Sequence, residues 1–193
     1  MGFQIGGIVI LVLLYSIYFG KMVLQKRRRI QTNQIAKGNK PKRLFWTEWI
    51  MRIATYFIVC AEIISIVQNS TWVPGYLRGL GFMITLIGVM VFAVSVYTMK
   101  DSWRAGIPGN DKTEFITTGI YRFSRNPAFL GFDLTYIGIL VMFFNWLLLI
   151  CTGFAMIMLH FQILQEEIFL EKSFGKEYMA YKGYVNRYFG KRG

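Results

Sequence analysis

Cysteine, histidine and acidic residues are scarce in this 193-residue chain, and each scarcity excludes something. The two cysteines, Cys60 and Cys151, sit inside apolar runs and are spaced neither as a metal site nor as a redox pair, so disulfides are not part of the plan. His160 is the single histidine, which leaves a zinc or haem centre almost nothing to be built from and makes metal-free chemistry the expectation. A Gly-rich dinucleotide fingerprint is also missing, so a nucleotide-bearing ligand would be held in a non-Rossmann way. Ten Asp+Glu stand against 22 Lys+Arg, a net charge of +12. Those bases lie between apolar runs rather than as a stripe on a soluble fold, so membrane topology explains them before nucleic acid does. The first apolar run has no basic n-region and no small-residue cleavage site, and is expected to stay as a span.

What the chain has in abundance is apolar surface: 54% hydrophobic residues, 17% aromatic, and a mean hydropathy of +0.41. This is the composition of an integral membrane protein. Apolar runs at about 5–19, 49–67, 77–99, 127–144 and 146–164 predict an all-α membrane domain of five transmembrane helices. The first connection carries Lys26, Arg27, Arg28, Arg29, Lys37, Lys40, Lys42 and Arg43. By the positive-inside rule it faces the cytoplasm, with the N-terminus outside. Lys100, Arg104, Lys112, Arg122 and Arg125 place the 100–126 connection on the same side, as do the bases of the C-terminal tail, whose apolar spacing suits a helix lying on the membrane surface or on the cytoplasmic loops. Gly79, Gly81 and Gly88 would let the third span approach a neighbour closely. Gly175 and Gly183 are candidate interruptions of the tail helix. Residues 1–99 hold three spans, and 100–193 form the ligand-binding half of one membrane domain.

Residues 117–131, TTGIYRFSRNPAFLG, are the stretch around which that half is built. Asn126 reads as an N-cap and Pro127 as a first-turn proline, so a helix starts there. Its free N–H groups and positive dipole end suit an anion or polar ligand beside Tyr121, Arg122 and Arg125. Arginine and tyrosine also serve as interfacial anchors, which is the plainer reading of these residues alone. The hairpin of the fourth and fifth spans then returns a second polar cluster, Gln162, Gln165, Glu166 and Glu167, to the depth of Arg125 and Asn126. Carboxylates for ribose hydroxyls or an ammonium, an arginine for a carboxylate, and aromatic faces for an adenine or a sulfonium match the parts of S-adenosylmethionine. Asp133, about two turns into the fourth span, lines a cavity or bonds a neighbouring helix. A lipophilic methyl acceptor is expected to enter near it, among the third to fifth spans.

The same stretch, the apolar hairpin after it, and then EEIFLEKSFGKEYMAYKGYVNRYF resemble the C-terminal half of the isoprenylcysteine carboxyl methyltransferase family, which is itself similar to membrane phospholipid methyltransferases. The likeness covers about 102–189 with both motifs in order and spacing, while the first half matches only in its number of spans. It implies S-adenosylmethionine contacts at Thr113, Glu114, Phe115, Ile116, Tyr121, Asn126, Pro127, Ala128, Phe129 and Glu166. Arg125 and Glu167 are the candidate catalytic residues, with Asp133 and Gln162 toward the acceptor. Asn126 stands where eukaryotic members usually have histidine, and cannot titrate. Gln162 falls where prenylcysteine-methylating members are expected to carry an arginine, which bears on the acceptor more than on the cofactor. The expected acceptors are an isoprenoid thiol or acid, a phospholipid amine, or a small thiol. A sterol-type NADPH-dependent reductase and a non-catalytic membrane scaffold are the alternative readings.

Overall fold

The computed structural model describes residues 1–69, 71–108 and 114–191, and among them the fold is helical. Five helices follow in order: α1 (Gly2–Arg27), α2 (Lys42–Gln68), α3 (Gly75–Met99), α4 (Pro127–Met142) and α5 (Trp146–Tyr184). Local chemistry sets their ends. α1 stops where Lys26 and Arg27 meet the negative end of its dipole. α2 closes on Asn69 in the left-handed conformation, whose N–H returns to Ser65 O. α5 opens on Asn145, whose side chain accepts a hydrogen bond from Leu148 N at 2.9 Å.

Among the described residues, α1, α2, α3 and α5 are long and apolar enough to cross a bilayer, with α3 running on into a 3-10 turn. Five apolar helices are present as expected, but α4 has only 16 residues. At 1.5 Å per residue it spans about 24 Å, short of a roughly 30 Å hydrocarbon core. The C-terminal tail follows α5 directly and packs on the 114–126 connection, and its helix is interrupted at Gly175 as expected: there φ is 48° and ψ −119°, non-helical values, and two helices meet across a kink within Trp146–Tyr184. Gly183 lies inside the helix without interrupting it.

α3 and α4 form the tightest pair, and the reason is compositional. Gly81, Thr85 and Gly88 on α3 meet Gly138, Thr135 and Gly131 on α4, small residues at the same spacing on antiparallel helices. A Cβ added to Gly81 would sit 2.7 Å from Gly138 O, and one added to Gly138 would sit 2.6 Å from Gly81 O. Gly79, expected to share this role, faces open space. Around the pair, one buried cluster joins Leu11, Ile58, Ile139 and Leu159, and another joins Ile10, Leu14, Phe92 and Trp103. Side chains such as Val12, Phe57, Met90 and Ile150 point outward, as lipid-facing residues do.

The two connections at the basic end are tied together. Gln25 donates to Trp103 O at 3.1 Å and accepts from Thr32 Oγ1 at 2.6 Å. The fully buried Glu48 accepts from Ala36 N at 2.6 Å, Ile107 N at 2.9 Å and Lys40 Nζ at 2.6 Å. A buried carboxylate is tolerated there because several donors reach it. At the far end, Arg78 reaches Asn69 Oδ1 at 2.6 Å and lies over the rings of Phe3 and Phe143. Glu62, in the far half of α2, is fully buried, and among the described residues neither carboxylate oxygen has a hydrogen-bond partner, so an interhelical bond is not its role.

Candidate functional site

The approach to α4 is held by the end of the chain. Leaving α5, residues 185–190 fold back so that Asn186 O accepts from Arg125 N at 3.1 Å, and Gly190 N donates to Phe123 O at 2.7 Å. Tyr181 donates its hydroxyl to Tyr121 O at 2.6 Å. Phe115 is fixed from the other side, stacked on Phe174 at 5.0 Å and set edge-on to Tyr181 at 5.4 Å. Backbone groups that a loop would otherwise expose are thereby satisfied, and residues 114–126 sit against α5.

Arg125 and Glu167 meet, as the hairpin predicts. Arg125 Nη2 is 2.7 Å from Glu167 Oε1, and its Nη1 donates to Val185 O at 2.6 Å. Arg187, which sequence reasoning left unassigned, completes the group: its Nη2 lies 2.8 Å from Glu167 Oε2 and its Nε 3.0 Å from Oε1. Donating these hydrogen bonds to the Glu167 carboxylate holds the Arg187 guanidinium above its usual range despite burial. Only the fold reveals this partner, because pairing positions 167 and 187 requires the turn back after Tyr184. Asn126 takes the N-cap position of α4, but its side chain makes no cap bond. Its amide is drawn instead toward the chain end, donating to Arg187 O at 3.3 Å.

Beside this group lies a cavity of about 290 Å³, near the lower end of the range of small-molecule sites. Glu114, Phe115, Ile116, Tyr121, Arg125, Asn126, Ala128, Phe129, Gln162 and Glu166 all line it. Pro127 is buried but does not, and Thr113 lies outside the described residues. Glu167 turns toward the two arginines and is absent from the wall. Asp133 is absent as well. It is buried on the side of α4 that interacts with Tyr188, whose phenol is raised above its usual value first by burial and then by Asp133. Tyr188 in turn is 2.6 Å from His160 Nδ1. Residues that sequence reasoning did not assign to the site but that share the wall include Trp103, Tyr18, Arg52 and Tyr181.

The polar groups of the cavity are only partly used within the chain. Glu166 Oε1 accepts from Gln162 Nε2 at 3.1 Å, while the buried Gln162 Oε1 has no partner among the described residues. Glu166 is close enough to act on Tyr121: burial first, then the Glu166 carboxylate and Tyr181, push the Tyr121 phenol well above its ordinary value. Ala128 and Phe129 belong to the first turn of α4, where backbone N–H groups lack intrahelical acceptors. The wall thus offers a carboxylate, an orphaned amide oxygen, helix-end donors and several aromatic faces. This donor set fits a ligand with an ammonium, a carboxylate, a ribose and an adenine.

The family model for phospholipid methyltransferase matches residues 77–177. That span holds α3 from Leu77 onward, α4, α5 as far as Glu177 and every expected cofactor contact; α1, α2 and Arg187 fall outside it. Over 115 residues the chain is 31% identical to proteins described as "Probable protein-S-isoprenylcysteine O-methyltransferase" from Oryza sativa subsp. indica and from Oryza sativa subsp. japonica. The alignment covers 57% of this chain and 58% of each relative, so it spans little more than half their length.

Proposed function

This chain belongs to the phospholipid methyltransferase family, and we propose that it is a membrane enzyme that transfers a methyl group from S-adenosylmethionine to a lipophilic or small acceptor. The observation that carries the reading is the convergence of Glu166, Gln162, Tyr121 and the first turn of α4 on one cavity. In this reading Glu166 and the orphaned Gln162 oxygen hold ribose hydroxyls or the ammonium, and the α4 N-terminus takes the carboxylate. Tyr121, Phe115 and Phe129 supply aromatic faces for the adenine and the sulfonium. Bound there, the cofactor supplies a methyl carried on sulfonium, ready for in-line displacement.

The protein's part is placement. Aromatic walls exclude water and hold donor and acceptor in a near-attack pose, which can supply much of the acceleration of a bimolecular displacement. Arg125 borders the cavity, whereas Glu167 is engaged by Arg125 and Arg187. Glu167 is therefore a positioning residue in this proposal, fixing the guanidinium and the chain end above the site. The basic loops face the cytoplasm in the same reading, so the soluble cofactor enters from that side.

Calorimetric titration with S-adenosylhomocysteine and with NADPH separates this activity from the reductase alternative. The first is expected to bind and the second is not. Glu166→Ala removes a charged hydrogen-bond acceptor, worth about 1.5–3 kcal/mol, so affinity should fall by about 10- to 100-fold. Near-normal affinity in both Glu166→Ala and Tyr121→Ala would remove the site assignment.

A further inference from the structure

Arg122, which the sequence sets beside the start of α4, does not border the cofactor cavity. It lines a second space, a groove of about 460 Å³ between the 114–126 connection and the last turns of α5. Thr117, Glu177, Tyr184 and Lys191 share that groove, while Phe115 and Tyr181 line both spaces. These two rings are therefore the wall between groove and cavity. Tyr184 and Lys191 lie beyond the residues that the family model matches.

The chain end places this groove at the membrane boundary. Tyr188 carries its hydroxyl to 2.6 Å from His160 Nδ1, and His160 lies about 21 Å along α5 from Trp146, inside a hydrocarbon core of roughly 30 Å. Residues 185–191 thus run at the level of the head groups, with Phe123 and Phe189 both exposed there. Gly190 N donates to Phe123 O at 2.7 Å, and Lys191 Nζ lies 5.7 Å from the centre of the Phe123 ring. Aromatic rings backed by basic side chains suit a membrane interface. Arg122 and Lys191 are exposed, and among the described residues neither forms an ion pair. Two such cations on one groove suit a phosphate, which arginine takes bidentately and lysine as a point charge. Glu177 adds an acceptor for a head-group hydroxyl.

We propose that the groove binds an anionic phospholipid, its phosphate between Arg122 and Lys191 and its chains beside Phe123 and Phe189, and that the bound lipid tightens the cofactor cavity. The lipid stands across Phe115 and Tyr181 from the methyl donor, so it is not the acceptor and is not methylated. Its phosphate draws together the 117–123 connection and the chain end, the segments that set the shared wall. There Tyr181 donates to Tyr121 O at 2.6 Å, and Phe115 stacks on Phe174 at 5.0 Å. A ligand that orders this wall favours the one behind it, and by linkage the donor favours the lipid by the same factor. The coupling rests on the methyl-donor reading of the cavity; the lipid site does not.

The test uses the full chain in nanodiscs of phosphatidylcholine with and without phosphatidylglycerol, neither of which has an amine left to methylate. S-adenosylhomocysteine affinity is measured by calorimetry, and photoreactive forms of both lipids are mapped by mass spectrometry. Phosphatidylglycerol should raise the affinity about fivefold or more, and its probe should label 117–123 and 184–191 above the phosphatidylcholine probe. Arg122→Gln combined with Lys191→Gln should remove the gain and the preferential label while keeping the parent's affinity in phosphatidylcholine. Lys42→Gln combined with Arg43→Gln, an equal loss of exposed charge elsewhere on the basic end, should keep both. Equal losses in the two double variants would mean diffuse surface attraction and overturn the site. No gain and no preferential label in the unmutated protein overturns the proposal without any variant. A gain reproduced by glycerol phosphate in phosphatidylcholine nanodiscs overturns the lipid in favour of a soluble anion. Preferential label in a protein that binds no S-adenosylhomocysteine in either nanodisc overturns the methyl-donor reading and the coupling, while the lipid site stands.

Discussion

Glu167 stands between two guanidinium groups, and removing its charge would leave Arg125 buried with no carboxylate beside it. Breaking a buried pair by deleting one partner costs about 3–5 kcal/mol, because the remaining charge is uncompensated. Glu167→Gln should therefore lower the thermal unfolding midpoint in detergent by many degrees. A midpoint within a degree or two of the parent would show that the cluster contributes nothing to stability. Arg125 and Glu167 could be matched from sequence because a tight hairpin must return the end of one span to the start of the other. Asp133 could not be placed that way. It sits roughly 100° around the helix from Phe132, enough to turn it out of the cavity wall and toward Tyr188. Arg52 was legible only as one more positive charge for topology, since a charge count says nothing about which bases line a cavity.

At the scale of elements, the α3–α4 contact depends on side chains that are missing. Gly138→Ala would drive a Cβ into Gly81 O and the Thr85 hydroxyl, and overpacking of this kind typically costs about 1–3 kcal/mol. Gly79→Ala meets nothing and should stabilise α3 slightly, by about 0.5–1 kcal/mol, through the smaller entropy loss of alanine. Unfolding curves for the two variants, recorded side by side, should shift in opposite directions; a common direction would deny the close packing. The starts of α3, α4 and α5 could be read from polar or proline-marked junctions within a few residues. So could the interruption at Gly175, where φ is 48° and two helices meet across a kink. The contact of Phe174 with Phe115 could not, because three-dimensional packing decides it and periodicity does not show it.

For the whole molecule, charge asymmetry between the two ends argues for an orientation that labelling can decide. Gln31 lies in the first basic connection, and Trp72 in the connection at the opposite end; both are exposed. In a background with Cys60 and Cys151 replaced by serine, Trp72→Cys should react with a membrane-impermeant maleimide in intact cells. Gln31→Cys should react only after permeabilisation. The reverse pattern would invert the topology and move the proposed cofactor entrance to the other side. Membrane class was legible throughout from composition, because it depends on a sum over many residues. Which residues of α1 and α2 line the cavity was not, since that depends on how the helices pack.

Glu48 draws a last consequence from the way the two connections at the basic end share one carboxylate. Ala36 and Lys40 come from the connection before α2, and Ile107 from the one after α3, so loss of this single carboxylate would unfasten two segments far apart in the chain at once and leave Lys40 buried without its counter-charge.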